Sequence, residues 1–267
     1  MTDDARGSSR RFPLYIFDLD GTLFRGAAAI PGAVETIAAL RAAGSKIRYV
    51  TNNSTLARDS YVDKLSRMGF PVEPGEVYSS ALGAAEYLRG TVARAHVVGE
   101  IGLTSALEAA GIRSDGLDPP DAVVVGLCRG FDYERMTRAM RYLLDAQVRF
   151  VATNRDASLP VEDGRLIPGA GAIVAALATC AGREPELVGK PSPYLIEWIL
   201  RDAGALPRDA LVVGDRVETD IVAGRRAGCA VHLVLTGVTA VAPAGVEWSA
   251  DLSGVLARSA PDGATLD

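Results

Sequence analysis

Leu14-Tyr15-Ile16-Phe17-Asp18-Leu19-Asp20-Gly21-Thr22 decides how this chain is read: an apolar run of strand length delivers two carboxylates, two positions apart, into a glycine turn. In a strand, residues i and i+2 share a face, so both acids can point into one site. Carboxylates that close repel, which implies a cation between them or a proton on one. By itself Asp18–Thr22 also fits an Asp-rich turn after a strand, and the rest of the chain must separate the two readings.

Outward from this stretch, apolar runs alternate with helix-period stretches, the pattern of an α/β protein with mainly parallel strands. Strands are expected at 13–19, 46–51, 95–99, 121–127, 148–153, 210–214 and 230–235. Helices are expected at 32–43, 57–69, 79–89, 103–110, 132–146, 169–181, 193–203 and 218–227, several ending at a glycine suited to the left-handed C′ position. Breaks near Gly90-Thr91 and at 182–185 enclose a βαβ-like block with its own strands. The expected organisation is a domain from 12–89 and 187–240, an inserted domain at 90–186, and tails at 1–11 and 241–267.

Composition narrows the function classes. The 267 residues are 48% hydrophobic, enough for a sizeable core, and the net charge of −5 comes without a basic tract. The footprint of a nucleic-acid binder is therefore missing, and any phosphate site must be a local positive pocket. Cys128, Cys180 and Cys229 lie far apart without a CxxC pair, so free thiols in a reducing cytoplasmic setting are expected. The polar start of the chain does not read as a signal peptide, and no apolar stretch is long enough for a membrane span.

Three more clusters carry chemistry. Thr51-Asn52-Asn53-Ser54 closes a strand and enters a helix, gathering hydroxyls, amides and N–H groups where an anion is welcome, although an ordinary helix cap has the same composition. Lys190 sits in Gly189-Lys190-Pro191-Ser192-Pro193, a proline-stiffened turn before a helix, where it can hold a compact positive charge. Gly214-Asp215-Arg216-Val217-Glu218-Thr219-Asp220 again sets acids after a buried run. In open α/β sheets ligands bind beyond the carboxyl ends of the strands, and three of the four clusters lie there, with Lys190 in a loop. Asp18, Asp20 and Asp215 offer hard oxygens suited to Mg²⁺, while Thr51, Asn52 and Lys190 offer donors for phosphate oxygens. A P-loop fails because Lys190 is followed by Pro191, and Gly169-Ala170-Gly171 lacks the third glycine of a dinucleotide fingerprint.

With the four clusters in this order, the chain resembles the haloacid dehalogenase superfamily, in the branch of p-nitrophenyl, nucleotide, phosphoglycolate, glycerol phosphate and pyridoxal phosphate phosphatases. The resemblance runs from about Phe12 to Thr239. It implies a Rossmann-like core with a parallel sheet and an inserted α/β cap, in which Gly126–Tyr133, Thr153–Asp156 and Pro168–Gly171 also look family-like. It further implies Asp18 as nucleophile, Asp20 as acid and base, and Mg²⁺ held by the Asp18 carboxylate, the Asp20 backbone carbonyl and Asp215 with Asp220 in support. Thr51, Asn52, Asn53 and Lys190 would meet the phosphate, and Phe24 and Arg25 would sit in a flap. Substrate contacts from the cap are expected of Arg129, Asn154, Arg155 and Asp156. The expected activity is hydrolysis of a small-metabolite phosphate monoester, with phosphotransfer or a silent phosphometabolite-binding protein as alternatives. Relatives of this branch often dimerise through their caps, so the resemblance offers a homodimer through the cap while the oligomeric state stays open.

Overall fold

The computed structural model describes residues 11–114, 119–160 and 165–257. The first ten residues and the last ten, assigned to tails from the sequence, lie outside the described residues. In chain order the first elements are β1 (Leu14–Asp18), β2 (Phe24–Arg25), β3 (Ala28–Ala29), α1 (Ala33–Ala42), β4 (Lys46–Thr51), α2 (Arg58–Arg67), β5 (Val77–Ser79) and α3 (Ser80–Leu88). The middle of the chain forms β6 (Ala95–Val98), α4 (Ile101–Ala109), β7 (Ala122–Val125), α5 (Tyr133–Leu143), β8 (Arg149–Ala152), β9 (Ser158–Pro160), β10 (Leu166–Pro168), α6 (Ala170–Ala181) and β11 (Glu186–Leu187). Last come α7 (Tyr194–Ala203), β12 (Ala210–Gly214), α8 (Val222–Arg226), β13 (Ala230–Val234) and β14 (Trp248–Ser249).

β1 is buried on both faces, as an uninterrupted apolar run in a central parallel strand requires. Leu14 and Ile16 face one layer of core with α3 and α7, while Tyr15 and Phe17 face the other with α1 and α2. The six-stranded sheet runs β14-β13-β12-β1-β4-β5, every pairing parallel. The chain steps from β1 to β4 and β5 on one side, then returns to β12 on the other, so the strand order reverses at β1. That reversal opens a crevice at the carboxyl ends of β1, β4 and β12, the place where such sheets bind ligands.

A second, four-stranded parallel sheet, β11-β8-β7-β6, is made entirely of residues between α3 and α7. One of its faces packs on α5 and α6 through Val123, Val125, Phe150, Val174 and Leu177. Its other face shares a continuous cluster with the first sheet through Leu103, Leu107, Val124 and Val151. The two sheets are thus joined by packing as well as by chain crossings. Among the described residues, no helix is long and apolar enough to cross a membrane.

Two expectations need correction. Residues 248–257, assigned to a tail, belong to the fold: β14 pairs with β13, and Leu252 and Val255 are fully buried against α1 and its neighbours. Their small-residue composition hid two anchors spaced to reach one core. The expected helix at 218–227 starts as a π turn over Val217–Ile221 and becomes α-helical only from Val222. A wide turn of this kind is common at functional sites, and this one carries Asp220.

Candidate active site

The four sequence clusters converge at the β1, β4 and β12 ends on a cavity of about 300 Å³, within the size range of small-molecule sites. Asp18 closes β1, Thr51 closes β4, Asp215 follows β12, and Lys190 comes from the loop between β11 and α7. Gly21 holds a positive φ of 89°, and a Cβ there would come within 2.6 Å of the Asp215 carboxylate. Only glycine lets the turn after Asp20 bend this way while the two acidic loops touch.

Lys190 is the hub. Its Nζ lies 2.5 Å from Asp18 Oδ1 and 2.6 Å from Asp220 Oδ1, and its side chain is only 2% exposed. Asp220 Oδ2 accepts from Arg216 N at 3.0 Å, Asp215 Oδ2 from Val238 N at 2.6 Å, and Asp18 Oδ2 from Thr22 Oγ1 at 3.3 Å. Each acid is fixed by a donor, yet three buried carboxylates face one ammonium, and the excess negative charge calls for a cation. Asp18, Asp215 and Asp220 each present an oxygen within 4.8 Å of the others, a hard donor set suited to a divalent metal. The Asp20 carboxylate is not among these three, so any part Asp20 plays in holding a metal falls to its backbone carbonyl.

The electrostatics separate the groups. Burial, reinforced by Asp220 and Asp215, pushes Asp18 well above the ordinary carboxylate range against the pull of Lys190. Burial and then Asp220 raise Asp215 to about 6. Burial also raises Asp20, opposed by Lys64 and Lys190. For Lys190 burial works against the charge, but Asp18 and Asp220 reverse it and raise the ammonium above its usual value.

The Thr51-Asn52-Asn53-Ser54 loop is held from several directions. Ser80 Oγ donates to Asn52 O at 2.5 Å, and Tyr61 OH donates to Asn53 O at 2.8 Å. Thr51 Oγ1 accepts from Asn53 N at 3.1 Å, while Asn53 Oδ1 caps the start of the next turn by accepting from Thr55 N at 3.0 Å. Asn53 is therefore occupied as a turn cap although it borders the cavity. The Asn52 amide is also engaged, donating to Lys190 O at 2.8 Å and to Asp156.

The expected contacts from the second sheet divide. Asn154 and Asp156 border the cavity, joined by a 2.8 Å bond from Asn154 Nδ2 to Asp156 Oδ2. Arg129 and Arg155 do not border it: they pair with Glu100 and Glu184 on the surface, with side chains 60% and 43% exposed. Sequence reasoning missed Leu127, Leu159, Arg216 and Val238 as cavity residues. Arg216 lay inside a quoted motif and could have been found, whereas Val238 arrives through a late loop with no local signal.

Comparison with known proteins gives the family. Residues 15–113 match the model of haloacid dehalogenase-like hydrolases, and 187–252 match a second HAD-hydrolase-like model. The chain is 40% identical over 253 residues to the glycerol-3-phosphate phosphatase of Homo sapiens, covering 84% of this chain and 79% of that protein. Its structure is similar to p-nitrophenyl phosphatase from Archaeoglobus fulgidus, with a TM-score of 0.86 and 34% identity over 93% of this chain and all of that one. It is likewise similar to the glycerol phosphate phosphatase of Mycobacterium tuberculosis solved with magnesium, at a TM-score of 0.83 and 34% identity over 92% of this chain and 76% of that one. With buried Asp18, Lys190 and Asp215 gathered at the sheet's switch point, the chain belongs to the haloacid dehalogenase-like hydrolases, in the branch of the p-nitrophenyl and glycerol phosphate phosphatases, and is a phosphatase.

Proposed function

We propose that the protein is a Mg²⁺-dependent phosphomonoesterase acting on a small metabolite through an aspartyl-phosphate intermediate. The observation that carries this reading is Lys190 Nζ bridging Asp18 and Asp220 inside the cavity. A lysine so held keeps an Asp18 oxygen oriented and brings positive charge to the place where a phosphoryl group would sit. Names of similar proteins favour glycerol phosphate and related polyol phosphates as the first substrates to assay.

In this mechanism an Asp18 carboxylate oxygen attacks phosphorus, the P–O bond to the leaving alcohol breaks, and Asp20 gives that oxygen its proton. Asp20 then takes a proton from water, whose oxygen attacks the same phosphorus, and the Asp18–P bond breaks to release phosphate. The burial that raises Asp20 favours the protonated form that the first half requires. Lys190 and the Thr51 hydroxyl stabilise the phosphoryl oxygens during both halves. Asp18 and Asp215, with Asp220 and the Asp20 carbonyl, would hold Mg²⁺, which supplies charge neutralisation at those oxygens. The second sheet, with its loops and the β9–β10 hairpin beside it, acts as the cap, walling off the leaving-group end with Leu127, Asn154 and Leu159.

Asp18→Asn tests the proposal. Phosphate release from p-nitrophenyl phosphate and glycerol phosphate with Mg²⁺ should fall at least about 1000-fold. Hydrolysis near the parent rate in that variant, or full parent activity in EDTA, overturns it.

A further inference from the structure

Thr153–Asp156 and Pro168–Gly171 are two family-like stretches that phosphoryl chemistry does not use directly, and the fold brings them together. Gly169 N donates to Ala157 O and Gly171 N to Asp156 O, both at 2.9 Å. A Cβ at Gly171 would come 2.5 Å from Arg155 O, and one at Gly169 would overlap Asp156 O. The two glycines let the start of α6 close onto the backbone of 155–158 and fix it.

On that support the Asp156 carboxylate gathers donors from three segments. Asn154 Nδ2 lies at 2.8 Å, Asn52 Nδ2 at 3.1 Å and Arg216 Nη1 at 3.7 Å. Asn52 shares the same Nδ2 with Lys190 O, and its Oδ1 is left buried without a hydrogen-bond partner. Turning the amide over would set Oδ1 against a carboxylate and a carbonyl, so those two acceptors dictate its orientation despite the unmade bond. Among the described residues that line the cavity from the second sheet and its loops, Asp156 is the one that bears a charge. A negative charge there repels a phosphate and suits a different task, that of organising donors.

We infer that Asp156 is a positioning residue: from the second sheet it orients Asn52, and through Asn52 the backbone of the catalytic Lys190, while holding Arg216 at the cavity wall. This rests on the phosphatase reading above and gives Asp156 a role other than the substrate contact expected of it. The second sheet therefore supplies part of the alignment of the phosphoryl site.

The test compares parent, Asp156→Ala, Asp156→Asn, Asn52→Ala and the double alanine variant on p-nitrophenyl phosphate and glycerol phosphate with Mg²⁺. Asp156→Ala should lower kcat roughly 10- to 100-fold, by the same factor for both substrates, with KM within about 3-fold. The double variant should be no slower than the slower single one, because both changes break one chain of contacts. Losses that multiply, or that fall on KM and differ between the leaving groups, place Asp156 on the substrate and overturn the inference. Asp156→Asn keeps the shape and loses the charge; matching the parent melting temperature with a kcat loss of about 10-fold supports positioning by charge, and parent activity refutes it. A parent enzyme that releases no phosphate overturns the phosphatase reading instead, so the two failures are distinguishable.

Discussion

The two parallel sheets share an architecture and differ in what they bury. At the carboxyl end of the six-stranded sheet, Asp18, Lys190, Asp215 and Asp220 are all 8% exposed or less. The four-stranded sheet buries valine, phenylalanine and leucine against α5 and α6, and its Arg129, Arg149 and Arg155 pair with glutamates in partly exposed positions. Surface pairs of that kind contribute little to stability, and buried charge sets often cost more than they return. Among the described residues, four buried charges stand at the carboxyl end of the six-stranded sheet and none at that of the four-stranded one, which places the chemistry at the first. The second sheet contributes shape, neutral walls and one carboxylate.

Lys190→Met should break this contrast most severely. Removing the ammonium leaves Asp18 and Asp220 facing each other unpaired, with an expected loss of roughly 3–5 kcal/mol in EDTA, read by urea unfolding. Activity should fall about 100- to 1000-fold as a phosphoryl donor disappears. A stable variant with parent activity would show that the ion pair is ornamental. The second sheet should answer to packing alone: Leu177→Ala, at a fully buried position in α6, should cost about 2–5 kcal/mol while kcat stays within about 3-fold. A collapse of kcat in the folded variant would mean that the apolar interior of the second sheet tunes the site directly.

Asp215 provides a pH test of the buried charge. With metal chelated, its pKa rises from 3.8 to about 6, so the folded chain holds an extra proton between those values. Its stabilising contribution is present below the unfolded value and lost as pH rises through the folded one. Asp215→Asn should thus be more stable than the parent by roughly 3 kcal/mol at pH 7.5 in EDTA, with the gap closing near pH 4. Urea titrations showing a gap that does not vary with pH would refute this account. The smallest expected effect lies at the flap, where Lys64 Nζ sits 3.8 Å from the centroid of the Phe24 ring. Lys64→Met should cost about 0.5–1 kcal/mol by unfolding, and Lys64→Arg should recover most of it. Equal losses in the two variants would assign the effect to packing of the lysine stem.

Much of this was legible in the sequence for identifiable reasons. β1, β4 and β12 are continuous apolar runs, and the acids or hydroxyls ending them mark the sheet edge where ligands bind. β5, β11 and β14 are two or three residues long and exist through pairing with strands far away in the chain, which local periodicity cannot register. The anchoring of Leu252 and Val255 was hidden in the same way. Helical spacing also gave no sign of the π turn, which carries the Asp220 that pairs with Lys190.

The sequence alone determined the carboxylate pair, the lysine, the second acidic loop and their order, because each is a short local pattern whose chemistry does not depend on its neighbours. It could not rank Arg129, Arg155 and Asp156. Arg155 and Asp156 are adjacent, yet one turns to Glu184 at the surface and the other to Asn52 and Arg216 at the cavity. Those partners lie 104 and 60 positions away along the chain, and only the packing of one sheet's loop against the other brings them within reach. Side-chain direction in a loop follows the partners that folding delivers, which is why the tertiary structure had to decide it.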